Sequence, residues 1–228
     1  MSFLTKIFGT KSSREIKKIS PIIQDINSIY DTLNDKNEDY LVKRTTGKSV
    51  SEHAFDAILG EHTKDERTAR EITREYQVLL HSIHKHNLNC NISIKPSHLG
   101  MGINNECIYK NMNHLIETAR NNSQFIRIDM EDSSLTDATI QLYTKCKEQY
   151  EKVGTVLQAY LFRSENDLSE LINKNQFNVR ICKGIYRESS DIAIQSRDDI
   201  NNNFLKLLRF AFKNNIYVGI ATHDLFLI

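Results

Sequence analysis

Ionisable and hydrogen-bonding side chains recur in this chain at the ends of short apolar runs that are typical of β-strands. Because the carboxyl ends of parallel strands open on one face of a sheet, polar groups far apart in sequence would meet there. The pattern therefore predicts one composite site. The runs and the polar residues that follow them are Ile92–Ile94 with Lys95, Phe125–Ile128 with Asp129, Val156–Leu157 with Gln158, Val179–Cys182 with Lys183, and Tyr217–Ala221 with Thr222, His223 and Asp224.

The charges at these strand ends allow two interpretations. Lys95 and Asp129 either form an ion pair on a solvated rim or belong to a binding site, and their spacing alone does not decide between the two. Arg180 and Lys183 are equally compatible with a solvated basic strand edge. Both interpretations stay open at this point.

Acidic residues near two of the runs have a structural interpretation of their own. His223 and Asp224 could form a pair that satisfies itself. Glu131 and Asp132 are predicted to be loop charges or carboxylates at the start of a helix, where the helix dipole favours negative charge.

Segments of helical period separate the runs and must position them. In residues 65–86 the apolar side chains follow the three-four spacing of one helix face, and Thr63 with Glu66 predicts a capping box at its start. With the weaker run Phe55–Leu59 as a first strand, six strands follow one another at intervals of about 25–40 residues, the length of a βα unit. The alternation predicts an α/β fold.

Two α/β architectures compete, a doubly wound sheet and a (βα) barrel. A doubly wound nucleotide-binding sheet would carry a Gly-rich turn after its first strand, but only Gly60 stands there. We therefore predict an incomplete (βα)8 barrel of TIM type with about six βα units over residues 51–228, preceded by a helical segment at residues 1–50.

Composition limits the classes of protein that remain. A chain of 228 residues with 39% hydrophobic and 26% charged residues suits one globular domain, and a net charge of +1 gives no general attraction to nucleic acid. No apolar run is long enough to span a bilayer, and no signal peptide is readable, so the sequence predicts a cytoplasmic protein. The cysteines Cys90, Cys107, Cys146 and Cys182 form no C-x-x-C pair and are predicted to be reduced and buried.

Other catalytic and metal-binding patterns have little support. His81, His84 and His86 could face one another on a helix, but no Glu-x-x-His or His-Glu-x-x-His accompanies them, so no metal site is predicted. No Gly-x-Ser-x-Gly motif of a hydrolase occurs.

Six motifs together resemble those of the flavin-dependent proline dehydrogenases. In chain order they are ILGEHT, NISIKPSHLGMG, IRIDMEDSSLTDAT, VGTVLQAYLFRSENDL, VRICKGIYRES and VGIATHD, and they extend over about residues 54–224. The resemblance implies a (βα)8 barrel that binds FAD non-covalently. It also implies oxidation of L-proline to 1-pyrroline-5-carboxylate by hydride transfer to the flavin, a step of proline catabolism.

The resemblance assigns Lys95, Asp129 and Tyr186 to the substrate end of the site, with Tyr186 beside the proline ring. A zwitterionic amino acid needs a cation near its carboxylate, and a Lys95–Asp129 pair would hold that cation in place. For the flavin, Arg180 and Gln158 would contact the isoalloxazine edge, and Gly184 would allow close backbone approach. The remaining implied flavin contacts, to the pyrophosphate, are Lys183, Thr222 and His223.

Both ends of the chain depart from the family pattern. The chain stops four residues after the ATHD motif, before the last two strands and the arginine-bearing helix of the family, so we expect impaired activity. Residues 1–46 resemble the N-terminus of the bacterial preprotein translocase motor ATPase instead. The alternative is an inactive barrel fragment or fusion product.

The predicted partners follow from the same reasoning. Besides proline, a quinone-type electron acceptor is a predicted partner, and the amphipathic start at residues 3–8 allows peripheral contact with the inner membrane. Open sheet edges predict self-association, because unpaired strand edges recruit other strands.

Overall fold

Helices and strands alternate along the part of the chain that the computed structural model describes, residues 63–89, 91–172, 177–224 and 227. All of these residues belong to one compact unit, Glu61–Ile228. The helices are α1 (Glu66–Lys85), α2 (Asn105–Asn121), α3 (Thr136–Gln149), α4 (Ser164–Ile172) and α5 (Arg197–Lys213). The strands are β1 (Ile92–Ile94), β2 (Ile126–Ile128), β3 (Val153–Gln158), β4 (Asn178–Cys182) and β5 (Tyr217–Ala221).

Five of the six predicted strands are confirmed, and β1 and β5 have the predicted bounds. The predicted strand Phe55–Leu59, the helical segment 1–50 and the domain boundary after residue 50 lie outside the described residues. Short 3₁₀ helices follow β1 at Pro96–Leu99 and precede α3 at Ser133–Leu135.

The five strands form one parallel sheet in sequential order, β1-β2-β3-β4-β5. Its register pairs Ile94 with Ile128, and Cys182 with Ala221. A doubly wound sheet reverses its strand order at a switch point, whereas a (βα) barrel adds each new strand beside the previous one. The sequential order therefore confirms the barrel-type fold over the doubly wound alternative.

One face of the sheet is apolar and packs against the helices. Ile94, Ile128 and Leu157 are at most 1% exposed on this face, and Leu115 and Phe204 are fully buried side chains of α2 and α5. Burial of each such side chain contributes roughly 1.5–3 kcal/mol. This core fixes the strands and therefore the positions of the residues that follow them.

The alternate strand residues form the opposite face, which we call the inner face, and it is polar. Arg127 is 7% exposed there and donates to the Thr155 carbonyl at 3.0 Å and to Asn178 Oδ1 at 2.7 Å. Burial lowers the pKa of Arg127 to about 10, with Arg180 adding to the effect. A buried guanidinium needs such partners, because an unpaired one would be strongly destabilising.

The start of α1 corrects one prediction. Asp65, not Thr63, caps the helix, since its side chain accepts from the backbone N–H of Thr68 at 2.9 Å. Thr63 instead donates through Oγ1 to the Ser97 carbonyl at 2.7 Å. Thr63 thus joins the start of the described chain to the turn after β1.

Apolar side chains remain exposed near β5. Phe212, Tyr217 and Ile220 are 54%, 68% and 52% exposed. Self-association through this strand stays a prediction. No helix of the described ranges is long and apolar enough to cross a membrane.

The inner face predicts opposite effects for two Gly→Ala substitutions. A Cβ at Gly154 would lie 2.6 Å from Phe125 Cζ and 2.8 Å from the Asn178 carbonyl oxygen, whereas at Gly219 the nearest atom, of Arg180, is 3.5 Å away. Gly154→Ala should therefore lower the free energy of unfolding by about 1–3 kcal/mol through overpacking. Gly219→Ala should leave it unchanged or raise it by about 0.4–1 kcal/mol, because alanine restricts the unfolded chain.

Urea unfolding followed by circular dichroism measures both variants against the parent chain. Equal effects of the two substitutions would contradict the packing described for the inner face.

Candidate active site at the strand ends

Lys95, Asp129 and Gln158 lie at one edge of the sheet, where the sequence predicted them. Lys95 directly follows β1, Asp129 directly follows β2, and Gln158 is the last residue of β3. The Asp129 N–H donates to the Ile94 carbonyl at 2.9 Å, which extends the β1–β2 ladder as far as these polar residues. The parallel register thus brings together residues separated by more than sixty positions.

Asp129 and Arg180 form the ion pair at the centre of this edge. Arg180 Nη2 donates to Asp129 Oδ1 at 2.6 Å, and Arg180 Nη1 donates to Ser93 Oγ at 3.2 Å. The two charged side chains are 17% and 32% exposed, so water screens their attraction only in part. Ser93, which the sequence analysis did not identify, completes the group.

This geometry corrects the predicted pairing of Asp129 with Lys95. Arg180, predicted as a flavin contact, is the cation that binds Asp129 directly. Burial raises the pKa of Asp129, while Arg180, Ser93 and Lys95 act in the opposite direction. Lys95 therefore contributes to the local field of this carboxylate.

Glu131 lies in the loop after β2, as one of its two predictions had it, but its carboxylate is buried, which the sequence did not predict. It is 1% exposed, and its two oxygens accept from the Ser97 N–H at 2.8 Å and from Ser97 Oγ at 2.5 Å. These hydrogen bonds connect the segment after β2 with the 3₁₀ helix after Lys95. Asp132 accepts from the Ser134 N–H at 3.0 Å and begins the second 3₁₀ helix, as predicted for a carboxylate at a helix start.

Gln158 carries a buried acceptor without a partner. The residue is 2% exposed, and its Nε2 lies 3.4 Å from the Met130 carbonyl oxygen, a long hydrogen bond. Its Oε1 has no hydrogen-bond partner among the described residues. A buried polar atom left unpaired costs about 1–3 kcal/mol, so this oxygen is suited to a donor on a ligand.

Gly184 has a positive φ of 107° and lies against the ring of Tyr160. A side chain at residue 184 would overlap that ring, and the backbone conformation itself favours glycine. The close approach that the sequence predicted for Gly184 is thus made to a protein side chain, and its contact with a cofactor stays a prediction.

Tyr186 lies half-buried near the acidic residues of this edge. Burial raises the pKa of Tyr186 to about 12, and the carboxylates of Glu131, Asp132 and Asp129 add to the effect. Tyr186 thus lies within electrostatic reach of these carboxylates, and its place beside a substrate stays a prediction.

Asp224 collects three donors at the end of β5. It accepts from Lys183 Nζ at 2.5 Å, Arg197 Nη2 at 3.0 Å and Asn201 Nδ2 at 3.2 Å, and its side chain is 6% exposed. The proposed self-sufficient pair of His223 and Asp224 is therefore not needed to satisfy Asp224.

The residues next to Asp224 were predicted to contact the flavin. His223 is exposed, and Thr222 Oγ1 accepts from the Asp224 N–H at 3.0 Å. Lys183 is held by Asp224. Their roles toward a cofactor stay predictions. Sequence reasoning missed Arg197 and Asn201, since a helix start gives no signal of its partner at a strand end.

The remaining site predictions concern metals and thiols. The described residues contain no group of three or more His, Cys, Asp or Glu side chains that could hold a metal ion. Cys107 and Cys146 are buried free thiols, Cys182 is half-buried, and Cys90 lies outside the described residues.

Comparison with known proteins identifies the family of this arrangement. A model of the proline dehydrogenase family matches residues 42–227. Proline dehydrogenase 2 of Bacillus subtilis (strain 168) is 37% identical over 166 residues, which are 73% of this chain and 54% of that protein. The chain thus spans about half the length of the curated relatives it matches.

A solved structure shows the same fold. Proline utilization A from Bdellovibrio bacteriovorus, inactivated by N-propargylglycine, superposes with a TM-score of 0.66 at 18% identity, over 76% of this chain and 24% of that one. A separate partial match of 74 residues, 34% identical, is to protein translocase subunit SecA of Chlorobaculum tepidum and covers 32% of this chain and 7% of that protein.

The Asp129–Arg180 pair predicts a specific pH dependence. Because burial raises the pKa of Asp129, the folded protein binds a proton at a pH at which the unfolded chain, with a value of 3.8, has lost it. The contribution of Asp129 to the free energy of unfolding should therefore fall as pH rises from 3.8 through the folded value. This decline should be absent from Asp129→Asn.

Arg180→Met should extend the decline to higher pH, because the arginine charge opposes the rise in pKa. Urea unfolding of the four chains of a double-mutant cycle, over about pH 3.5 to 7, measures the effect. In the Asp129→Asn background, Arg180→Met should no longer change the pH dependence. A persistent change there would show that another group titrates.

Proposed function

Since the chain belongs to the proline dehydrogenase family, we propose that it serves the oxidation of L-proline to 1-pyrroline-5-carboxylate with FAD as the electron acceptor. The observation that carries the proposal is the half-buried Asp129–Arg180 pair at the strand ends, within the family match. Replacing a buried ion pair by apolar side chains is often neutral or stabilising, so a pair at the strand ends is better explained by ligand binding than by stability.

The substrate end of the proposed site consists of Lys95, Asp129 and Tyr186. The Lys95 ammonium would attract the proline carboxylate, and Asp129 would hold the cations of the site in place. Tyr186 would border the proline ring with its aromatic face, which packs well against a small apolar ring. The Ser97–Glu131 contact fixes the turn after Lys95 and so helps to orient that side chain.

The donors and acceptors present fit a flavin. Gln158 Oε1 is a buried acceptor without a partner among the described residues and suits a ring N–H, while Arg180 has five N–H donors, of which Ser93 and Asp129 take two. Lys183, Thr222 and His223 would meet the pyrophosphate. When bound, FAD would take up the hydride that proline loses.

The proposal also includes a quinone-type acceptor, contact with the inner membrane and a cytoplasmic location, which come from the sequence analysis. The alternative, an inactive barrel fragment or fusion product, is one outcome of the tests below.

Gln158→Leu separates a ligand-binding role from a structural one. Leucine has a similar size and removes the unpartnered oxygen, so the apoprotein should keep its free energy of unfolding or gain up to about 1 kcal/mol. The same substitution should weaken FAD binding roughly two- to tenfold, because one hydrogen bond to the ring is lost. Flavin fluorescence during titration with FAD measures the affinity.

Gln141→Leu, on the exposed surface of α3, is the matched control and should bind FAD like the parent chain. Absence of saturable FAD binding by a folded parent chain would overturn the proposed function. A loss of stability in Gln158→Leu with unchanged FAD affinity would assign Gln158 to the core instead.

A further inference from the structure

The loop after β4, residues 183–196, carries Tyr186 and is attached to the rest of the barrel near both of its ends. At its start, Tyr160 N–H donates to the Lys183 carbonyl at 2.8 Å, and Gly184 packs on the Tyr160 ring. Near its end, Ile194 N–H donates to the Tyr160 carbonyl at 2.7 Å. Both attachments use the segment after β3.

A third attachment joins the middle of this loop to a different strand end. Glu188 Oε1 accepts from the Ser133 N–H at 2.7 Å, and Glu188 Oε2 accepts from Ser133 Oγ at 2.7 Å. Ser133 begins the 3₁₀ helix that leads directly into α3, so the carboxylate also meets the positive end of a helix. We call this contact the Glu188–Ser133 latch.

Tyr186 lies between the first attachment and the latch. Its two neighbours are exposed, Ile185 to 87%, and contribute little packing that could orient the loop. Tyr186 itself is half-buried, and the carboxylates of Glu131 and Asp132 contribute to the rise in its pKa. Partial burial of this one residue between two exposed neighbours therefore needs a restraint on the loop immediately beyond it.

We propose that Glu188 is a positioning residue whose latch to Ser133 holds Tyr186 over the strand ends, beside Asp129. The inference deepens the proposed function, because Tyr186 is the residue proposed to border the substrate. A charged carboxylate that receives two hydrogen bonds from one serine is a directional restraint, since both bonds are short only in one orientation of the loop. The latch therefore fixes the position of Tyr186, the residue proposed to lie beside the ring of the substrate.

A single introduced fluorophore can report the position of residue 186. The chain contains no tryptophan, so Tyr186→Trp places the only indole of the protein at the end of the loop segment under test. Glu188→Ala, Glu188→Gln and Ser133→Ala are then added to this background. Ser133→Ala removes only the hydroxyl donor and keeps the backbone donor, so it tests the latch even if Glu188→Ala does not fold.

Without any ligand, loss of the latch should expose the indole. We expect Trp emission at longer wavelength and an acrylamide quenching constant about twofold higher or more for Glu188→Ala, as for other locally opened segments. Ser133→Ala and Glu188→Gln should give intermediate values, because each retains part of the contact. The effects of Ser133→Ala and Glu188→Ala should not add in the double variant, since both remove the same interaction.

Glu165→Ala is the matched control. Glu165 makes an exposed ion pair with Lys206 at 2.6 Å between α4 and α5, outside residues 183–196, and its loss should leave the indole signal unchanged. Unchanged emission and quenching in Glu188→Ala, for a chain that circular dichroism shows to be folded, would overturn the latch. So would an equal change in Glu165→Ala.

A measurement with proline distinguishes failure of the latch from failure of the proposed function. For this measurement the substitutions of Glu188 and Ser133 are made in the parent chain, which keeps Tyr186. With FAD bound, these variants should need a higher proline concentration for half-maximal dye reduction, and their maximal rate should fall less than this concentration rises. A clear change in indole exposure without any proline turnover in the parent chain would keep the latch and reject the activity. Equal KM values in the parent chain and in Glu188→Gln and Glu188→Ala would show that the latch does not position the substrate contact.

Discussion

The contact of Arg180 with both Asp129 and Ser93 constrains the whole sheet. Arg180 lies on β4, Asp129 follows β2, and Ser93 lies on β1, so the guanidinium group reaches across three strand spacings. In a flat sheet these would amount to about 14 Å, at 4.7–4.9 Å for each spacing, which is more than an arginine side chain can span. The contact forms only if the sheet curls around its inner face, as the strands of a barrel do. The contacts of Arg180 with Asp129 and Ser93 therefore depend on the curvature of the sheet.

The second arginine of the inner face, Arg127, also crosses a neighbouring strand. Arg127 extends from β2 to Asn178 on β4 and passes over β3 at Gly154, where no side chain blocks it. Gly219 on β5, in contrast, lies nearest to the Cβ and Cγ of Arg180. Gly154 thus provides space for a guanidinium group in a strand interior, where glycine would otherwise weaken a strand.

The sequence predicted the sheet well because its strands have a strong alternating pattern and end in polar residues. The bounds of β1 and β5 agree with the prediction. The strand β3 is longer than the predicted run Val156–Leu157, because Gly154 and Thr155 interrupt the apolar pattern of a strand that is buried throughout. Partners of charged residues were harder to predict. Asp129 was paired with Lys95, and Glu131 was given no partner, because sequence proximity says nothing about side chains that approach from a distant strand or turn. The position of a residue followed from local pattern, whereas its partner depended on the curvature of the sheet.

Two carboxylates join the loops around the site in the same way. Glu131 binds the backbone N–H and hydroxyl of Ser97, and Glu188 binds the same two groups of Ser133. Each serine lies in a short 3₁₀ helix in the connection that follows a strand, so each contact fixes a segment that the strand alone would leave adjustable. Rigid placement of polar groups lowers the entropic cost of binding, and a site on strand ends gains most from it because its members come from separate loops. The unpartnered oxygen of Gln158 lies at the same edge, where the buried amide costs stability that an apolar side chain would not. The fold thus keeps a buried amide that packing alone would not favour. Such a loss of stability is expected at positions that are suited to bind a ligand.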